Sequence, residues 1–322
     1  MILRNAFFLM LLVVTFLPAQ RAPEAIDFYH HQQSGEPYEL WSYQFALENG
    51  TQIWLTYSWI NLPAIGPKIA GELSIHNYKG KDLSVGKQYA TSEWKENQSN
   101  TTIAIRSDYY MKGLPGAGHH VHFATGKNEG YLLDLTFTDA QPTLVLPGDK
   151  VGSIVVNTLV QIPRGGVHGT LVIGKDTLPI KGQGTLIHSW YPKRVTEFTP
   201  RSVSFFCVSG NGFSGRIMQG KGNQAPFGNV VRVIDGKPQT LVPRTFKVNG
   251  MSLHVDWTDS KVAPLELNLS KPYQKYSVLS TVDSWMERSA AKIALGGDHL
   301  LFRGRTNTQD GAVEWVAAGF GE

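Results

Sequence analysis

Gly184-Thr185-Leu186-Ile187-His188-Ser189-Trp190 carries the most chemically pointed pair of side chains in the chain. At the two-residue period of a strand, His188 and Trp190 share one face. A histidine beside an indole can protonate a substrate, orient it, or hold a cation against the ring face. The same two residues also suit a histidine hydrogen-bonded in a seam between two halves of the molecule, with no chemistry at all. A second cluster is His119-His120-Val121-His122. In a strand, His120 and His122 lie on one face about 7 Å apart. Two imidazoles begin a zinc site, but a third ligand is needed. No spaced set of Cys, His or carboxylate residues supplies it, and His30-His31 would help only if folding brought them near. No metal site and no cofactor are expected.

Two other motifs weaken on inspection. Gly210-Asn211-Gly212-Phe213-Ser214-Gly215 matches a dinucleotide fingerprint by letter. That fingerprint needs a helix to begin there, because the helix N-terminus holds the pyrophosphate. The next glycine, Gly220, comes too soon, so a hairpin turn is expected. Cys207 is the single cysteine of the chain, which excludes an intramolecular disulfide. It lies in the apolar run Val203–Val208 with no cationic cluster nearby, the setting of a buried, unreactive thiol.

The elements that must position these residues are strands. Glycine (33 residues) and proline (17) punctuate runs with period-two alternation, the pattern of many short strands. Trp41-Ser42-Tyr43-Gln44-Phe45 puts three aromatics on one face. A turn at Glu48–Gly50 and the run Ile53-Trp54-Leu55-Thr56-Tyr57 complete a hairpin signal. Helical periodicity is scarce, which argues for sandwiches or barrels. The stretch from Asp283 to Leu295 reads either as an amphipathic helix or as a strand. One set of strands runs from about Tyr38 to Ile162 and another from about Gly182 to the C-terminus. A bridging stretch follows Pro163-Arg164-Gly165-Gly166. Closing a sheet removes its exposed edges, and a barrel of about eight strands can hold one small ligand.

The chain of 322 residues is long enough for two such units, and its formal net charge of +4 is only mildly basic. Lysine and arginine are scattered, with none of the basic stripes of a nucleic-acid binder. At the N-terminus, Arg4 precedes an apolar stretch from Ala6 to Leu17. That stretch suits a signal peptide and is short for a membrane-spanning helix. Export to a periplasmic or extracellular compartment is expected, with anchoring through an uncleaved leader as the alternative.

In order and spacing, several of these segments together resemble the carotenoid 1,2-hydratase and AttH-like proteins. The centre of the resemblance is Pro163-Arg164, Gly169-Thr170-Leu171-Val172-Ile173-Gly174, and Gly184 through Trp190. Trp41-Ser42-Tyr43 resembles the family's opening aromatic hairpin, and Tyr131-Leu132-Leu133-Asp134-Leu135-Thr136 a later strand. Trp285-Met286-Glu287 resembles a late Trp-Glu motif, which favours strand over helix there, and Glu314 through Phe320 resembles the C-terminal ending. The resemblance covers nearly all of the mature chain. It implies an all-β fold of two tandem lipocalin-like (calycin-type) antiparallel β-barrels, with a groove or tunnel between or within them. Residues 1–22 would be the signal peptide, 23–175 the first barrel and 176–322 the second.

The departures bear on function. Ile187 stands where the family has an aspartate before the histidine, and neither Tyr nor Asp occurs near Phe213–Ile217, where hydratases carry an acid. Asp256 or Glu287 could substitute only by lying close to His188. The first expectation is a protein that binds an elongated apolar molecule (a lipid, terpenoid or polyketide), with His188, Trp190, Trp41 and Tyr43 at the ligand. The second is an enzyme on such a molecule, a hydratase, isomerase or cyclase, with His188 catalytic. It would show a carboxylate within hydrogen-bond reach of His188. The third is a structural or surface-interaction protein with solid barrels. The partners expected are an apolar small molecule or lipid and no nucleic acid. A membrane surface is left open, and no obligate protein partner is inferred.

Overall fold

A computed structural model describes residues 22, 24–29, 38–62, 66–125, 130–140, 145–209, 211–235, 237–277, 279, 282, 284–294 and 300–320. The leader, His30-His31 and Gly210 lie outside the described residues, as do Asp283 and Leu295 at the ends of the ambiguous stretch.

Alternation builds the molecule. The hairpin of Tyr38–Leu47 with Gln52–Leu62 continues through Gly66–Tyr78 to Lys81–Tyr89. The opposite edge of Tyr38–Leu47 pairs with Asp176–Tyr191, which pairs with the 20-residue strand Ile154–Ile173. These strands belong to one antiparallel sheet of twelve. It curls around a core that includes Trp41, Tyr43, Phe45, Tyr57, Phe123 and Phe137. The three aromatics of Trp41–Phe45 therefore point inward together, as their spacing predicts. The second half has a seven-stranded antiparallel sheet capped by a three-stranded one, around a core with Phe205, Phe213, Trp257 and Trp315. The fold is all-β and lipocalin-like.

Three expectations need correction. Asp176–Tyr191 lies within the first sheet, and the second sheet begins at Ser202. The seam between the halves thus lies after Tyr191 and not at Lys175. The stretch after Pro163 is likewise strand, with register shifts between Val160 and Gly165. Its glycines are there for close approach. A Cβ on Gly165 would collide with Ala140, and one on Gly184 would collide with the Phe45 ring. Glycine in a strand marks such tight packing as often as it marks a turn. Third, Trp285–Ala294 is a helix, not a strand. The Ser284 hydroxyl accepts from Glu287 N at its start. Among the described side chains of this helix only Ala291 is buried, and Trp285, Met286 and Ile293 are exposed. Its residues are mostly good helix formers, so local propensity outweighs the strand pattern. Among the described residues no helix is long and apolar enough to cross a membrane.

The region of the fingerprint-like glycines is a hairpin connection. Ser202–Cys207 and Phe213–Met218 are adjacent antiparallel strands. Cys207 is buried, its thiol donates to the Ser209 carbonyl, and burial pushes its pKa up.

Candidate functional site

A cavity of about 920 Å³ lies between the two halves, a size within the usual range for small-molecule sites. Its walls are the outward faces of both sheets. On Tyr38–Leu47 the inward residues are Glu39, Trp41, Tyr43 and Phe45, so Tyr38, Leu40, Ser42 and Gln44 face outward into the cavity. Trp54, Thr56, Ser58 and Ile60 do the same on the neighbouring strand. The outer face of a lone barrel would be wet. Here the second sheet covers it with Ser204, Arg216, Met218, Leu301, Arg303 and Val316.

Register grades the cavity from polar to apolar. Gln44 pairs with Trp54 and Thr56 with Glu72, while Leu40 pairs with Ser58 further along. On the facing sheet Arg216 pairs with Ser204 and Arg303 with Val316, while Met218 pairs with Ser202 and Leu301 with Ala318. The Arg303 guanidinium lies 4.9 Å from the Trp54 ring centre, which sets the two polar rows against each other. Gln44, Trp54 and Arg303 are buried, whereas Leu40, Ile60 and Leu301 are partly open. The row of Gln44, Trp54 and Arg303 is the deep end, although Glu72 and Arg216 beside it are half-buried and Met218 at the other end is fully buried.

Several deep groups are unsatisfied. Gln44 Oε1, Trp54 Nε1, Glu72 Oε1 and Arg303 Nε have no hydrogen-bond partner among the described residues. Arg303 donates from Nη1 to Gln274 Oε1 at 2.9 Å and lies 3.9 Å over the Tyr276 ring. Arg216 donates to the Ser204, Ser189 and Tyr191 hydroxyls at 2.8, 3.1 and 3.1 Å. Both guanidinium groups are thus bonded to neutral acceptors. Desolvation raises the Glu72 pKa, opposed by the Arg303 charge and the Ser74 hydroxyl. Burial also pushes the Tyr276 hydroxyl up to about 12. Buried polar groups are ordinarily paired, so several unpaired ones around one cavity mark a place built for something else to bind.

The residues singled out by sequence lie mainly on the other face of the same strands. His188 is fully buried inside the first barrel, paired in register with Trp41 and stacked on it at 4.5 Å. Trp190 lies 4.8 Å from the His188 ring. His188 Nδ1 donates to the Asp27 carbonyl at 2.9 Å, and Nε2 is hydrogen-bonded to Glu39 Oε1 at 2.7 Å. A carboxylate is therefore within reach of His188, but it is Glu39. Asp256 is bonded to Thr245 and His254, and Glu287 sits on the exposed helix. The turn Ala25–Asp27 with Phe28 and Tyr29 packs over this cluster. Gln161 Nε2 donates to the Asp27 carbonyl and Trp41 Nε1 to the Phe28 carbonyl. None of His188, Glu39, Trp41 or Trp190 lines the cavity. Tyr43 borders it, yet its hydroxyl bonds His119 Nε2 at 2.8 Å inside the barrel.

The histidine cluster divides as alternation requires. His119 points inward, donates from Nδ1 to the Gly113 carbonyl, and is held neutral by burial, its pKa lowered to about 4. His120 and His122 share the outer face and bond the two oxygens of Asp134 at 2.8 and 2.7 Å. Among the described residues no group of three His, Cys, Asp or Glu side chains is arranged to hold a metal.

Sequence reasoning missed Gln44, Trp54, Glu72, Arg216 and Arg303. A signal existed in Trp54, a large aromatic on the outward phase of its strand. Another was the alternation of Arg303 and Arg305 with apolar or small neighbours.

No family model matches the chain, and no curated protein matches its sequence. Among solved structures, it is similar to an AttH candidate from Nitrosomonas europaea, with a TM-score of 0.60 at 11% identity over 95% of this chain and 99% of the other. CghA crystallised with Sch210972 is similar with a TM-score of 0.56 at 9% identity, over 88% of this chain and 87% of that one. Kievitone hydratase from Nectria haematococca aligns more loosely, with a TM-score of 0.49 at 10% identity over 88% of each chain. Across nearly its whole length, the chain has the fold of the AttH-like, lipocalin-type proteins.

Proposed function

We propose that the protein binds an elongated, largely apolar small molecule in the cavity between its two halves. The observation that supports this most directly is the combination of apolar lining at Leu40, Ile60, Met218 and Leu301 with unpaired polar groups at the deep end. Binding then comes mainly from burial of the apolar body, at roughly 25 cal/mol per Å² before association costs. The polar end fixes orientation. A neighbour of the same fold, CghA, has been crystallised with Sch210972. The exposed Trp285, Met286 and Ile293 on a helix whose Lys292 lines the cavity suit uptake of the ligand from a membrane surface. The test is native mass spectrometry of protein purified from its own host, with solvent extraction. A stoichiometric apolar molecule is the expected result. An empty protein that also takes up no lipid, terpenoid or polyene would end this reading.

A second reading, an enzyme acting on such a molecule, draws support from Glu72. It is a carboxyl that lines the deep end of the cavity, and desolvation raises its pKa against the pull of Arg303 and Ser74. It replaces His188 as the acid on grounds of access. Alkene hydration through a carbocation suits this site poorly, because the Trp54 and Tyr276 faces that would steady a cation already hold the Arg303 guanidinium. Proton transfer or a cyclisation enforced by cavity shape fits better. Replacing Glu72 with Gln should abolish turnover and leave binding in place; full activity in that variant would remove Glu72 from the role.

A further inference from the structure

We infer that the ligand carries a single anionic head, a carboxylate or a group of similar size, which docks between Trp54, Arg216 and Arg303 with its apolar tail toward Leu40, Ile60 and Met218. The inference rests on the proposed binding cavity and specifies what it takes.

The argument is one of charge and of unfilled donors. Arg194, Arg201, Arg216, Lys292 and Arg303 line the cavity, against Glu72 as its one acidic residue. Arg194 is paired with Glu197. Arg216 and Arg303 hold the deep end, and their hydrogen bonds go to hydroxyl and amide oxygens. Arg303 is buried and Arg216 half-buried, neither forms an ion pair with a carboxylate among the described residues, and an anion supplies what such a guanidinium lacks. The local groups also have the right polarity. Trp54 Nε1–H and Arg303 Nε–H are donors with no acceptor, on side chains whose ring and guanidinium are 4.9 Å apart. One carboxylate, with two oxygens, can accept from both and still face Arg216. Glu72 is one acidic group against several cationic ones among the described lining residues, and desolvation disfavours its charged form while the Arg303 charge favours it.

The cavity runs on past the head to Leu40, Ile60, Met218 and Leu301, with Arg194, Arg201 and Lys292 also on its lining. A free small anion would leave that apolar surface uncovered, whereas a chain would bury it. An amphiphile with one acidic end matches both zones at once.

The experiment compares dodecanoate with 1-dodecanol on the full chain at pH 8, by calorimetry and by quenching of tryptophan fluorescence. The two ligands share a chain and differ in the head. Hydrogen bonds to charged groups give an expected preference for dodecanoate of about tenfold or more. Arg303→Met and Arg216→Met should each erase most of that preference while leaving dodecanol affinity within about twofold, folding being checked by circular dichroism. Equal affinity of the wild-type protein for the two ligands would overturn the anionic head and leave the binding cavity standing. Failure of both to bind would overturn the head and count against the cavity. Preference retained in the Arg216→Met/Arg303→Met double variant would move the anion site elsewhere. Because the wild-type comparison needs no variant, the inference stays decidable even if a substitution disturbs folding.

Discussion

The strands Tyr38–Leu47 and Asp176–Tyr191 each have two faces, and the contrast between them organises the molecule. On the inner face, Glu39, His188, Trp41 and Trp190 form a closed cluster in which the histidine has partners on both nitrogens. On the outer face, one residue along, Gln44 and its neighbours Trp54, Glu72 and Arg303 hold polar atoms with no protein partner. Both faces bury polarity. The inner face pairs its histidine and carboxylate internally, with Gln161 Oε1 left over beside them, and the outer face leaves more of its polarity for a guest. A chemically suggestive residue pair is therefore weaker evidence of a site than an unsatisfied one, because satisfied buried polar groups chiefly specify structure.

The sharpest way to break this contrast is to strand the inner cluster. Glu39→Ala removes the carboxylate from beside His188 and leaves a fully buried imidazole without its strongest partner. The expected loss is about 3–5 kcal/mol of stability, measured by urea denaturation. A loss below about 1 kcal/mol would mean that the cluster is not a closed structural unit. If Glu39→Ala or His188→Ala instead left stability intact and abolished ligand binding, the inner face would be the functional one and the assignment made here would reverse.

A second test falls on the seam that joins the halves. Glu314 lies one outward position beyond Val316, and its Oε2 accepts from the Tyr273 hydroxyl at 2.7 Å. The Tyr273 ring stacks on His76 of the first half at 3.8 Å. Burial raises the Glu314 pKa from 4.5 to about 7, against the pull of Tyr273 and Arg305. The native state therefore holds this proton more tightly than the unfolded chain does. The contribution is fully present below pH 4.5 and is lost as pH rises toward about 7, then levels off. A change of about 3 kcal/mol is expected over that window. Asp149, raised by burial from 3.8 to about 6, adds a comparable change of the same sign at lower pH. Denaturation midpoints recorded from pH 4 to 8 should fall for the wild-type protein and fall less for Glu314→Gln, with the difference concentrated between about pH 5 and 7. An equally steep fall in that variant would assign the seam's pH response to other groups.

How much of this was legible beforehand follows from the same alternation. The spacing of Trp41, Tyr43 and Phe45 announces an inward aromatic face, and the structure places all three there. Period two also separates His119 from His120 and His122. The pattern cannot show that a barrel's outward face is covered. Gln44, Thr56 and Glu72 read as solvent-facing residues because the sheet that buries them lies more than a hundred residues further along. Glu39 was missed for the complementary reason. A charge on the inward phase of a strand looks like an interruption until its partner, 149 residues away, is brought alongside. The glycines after Pro163 misled because closeness of backbones and tightness of turns select the same residue.

The mildest prediction sharpens the contrast from the outer face. Gln44 is buried, and its Oε1 has no partner. Replacing it with Leu keeps the volume close and removes a buried acceptor that the ligand-free protein does not use. Deleting an unsatisfied group is neutral or stabilising, by about 1 kcal/mol, where deleting a satisfied one is costly. Gln44→Leu should therefore leave the ligand-free protein as stable as wild type or slightly more so in a denaturant titration, opposite in sign to Glu39→Ala on the same strand. Destabilisation of the ligand-free protein by more than about 1 kcal/mol would show that Gln44 is already satisfied. The outer face would then be closed like the inner one, and the case for a guest would rest on the cavity's volume and charge alone.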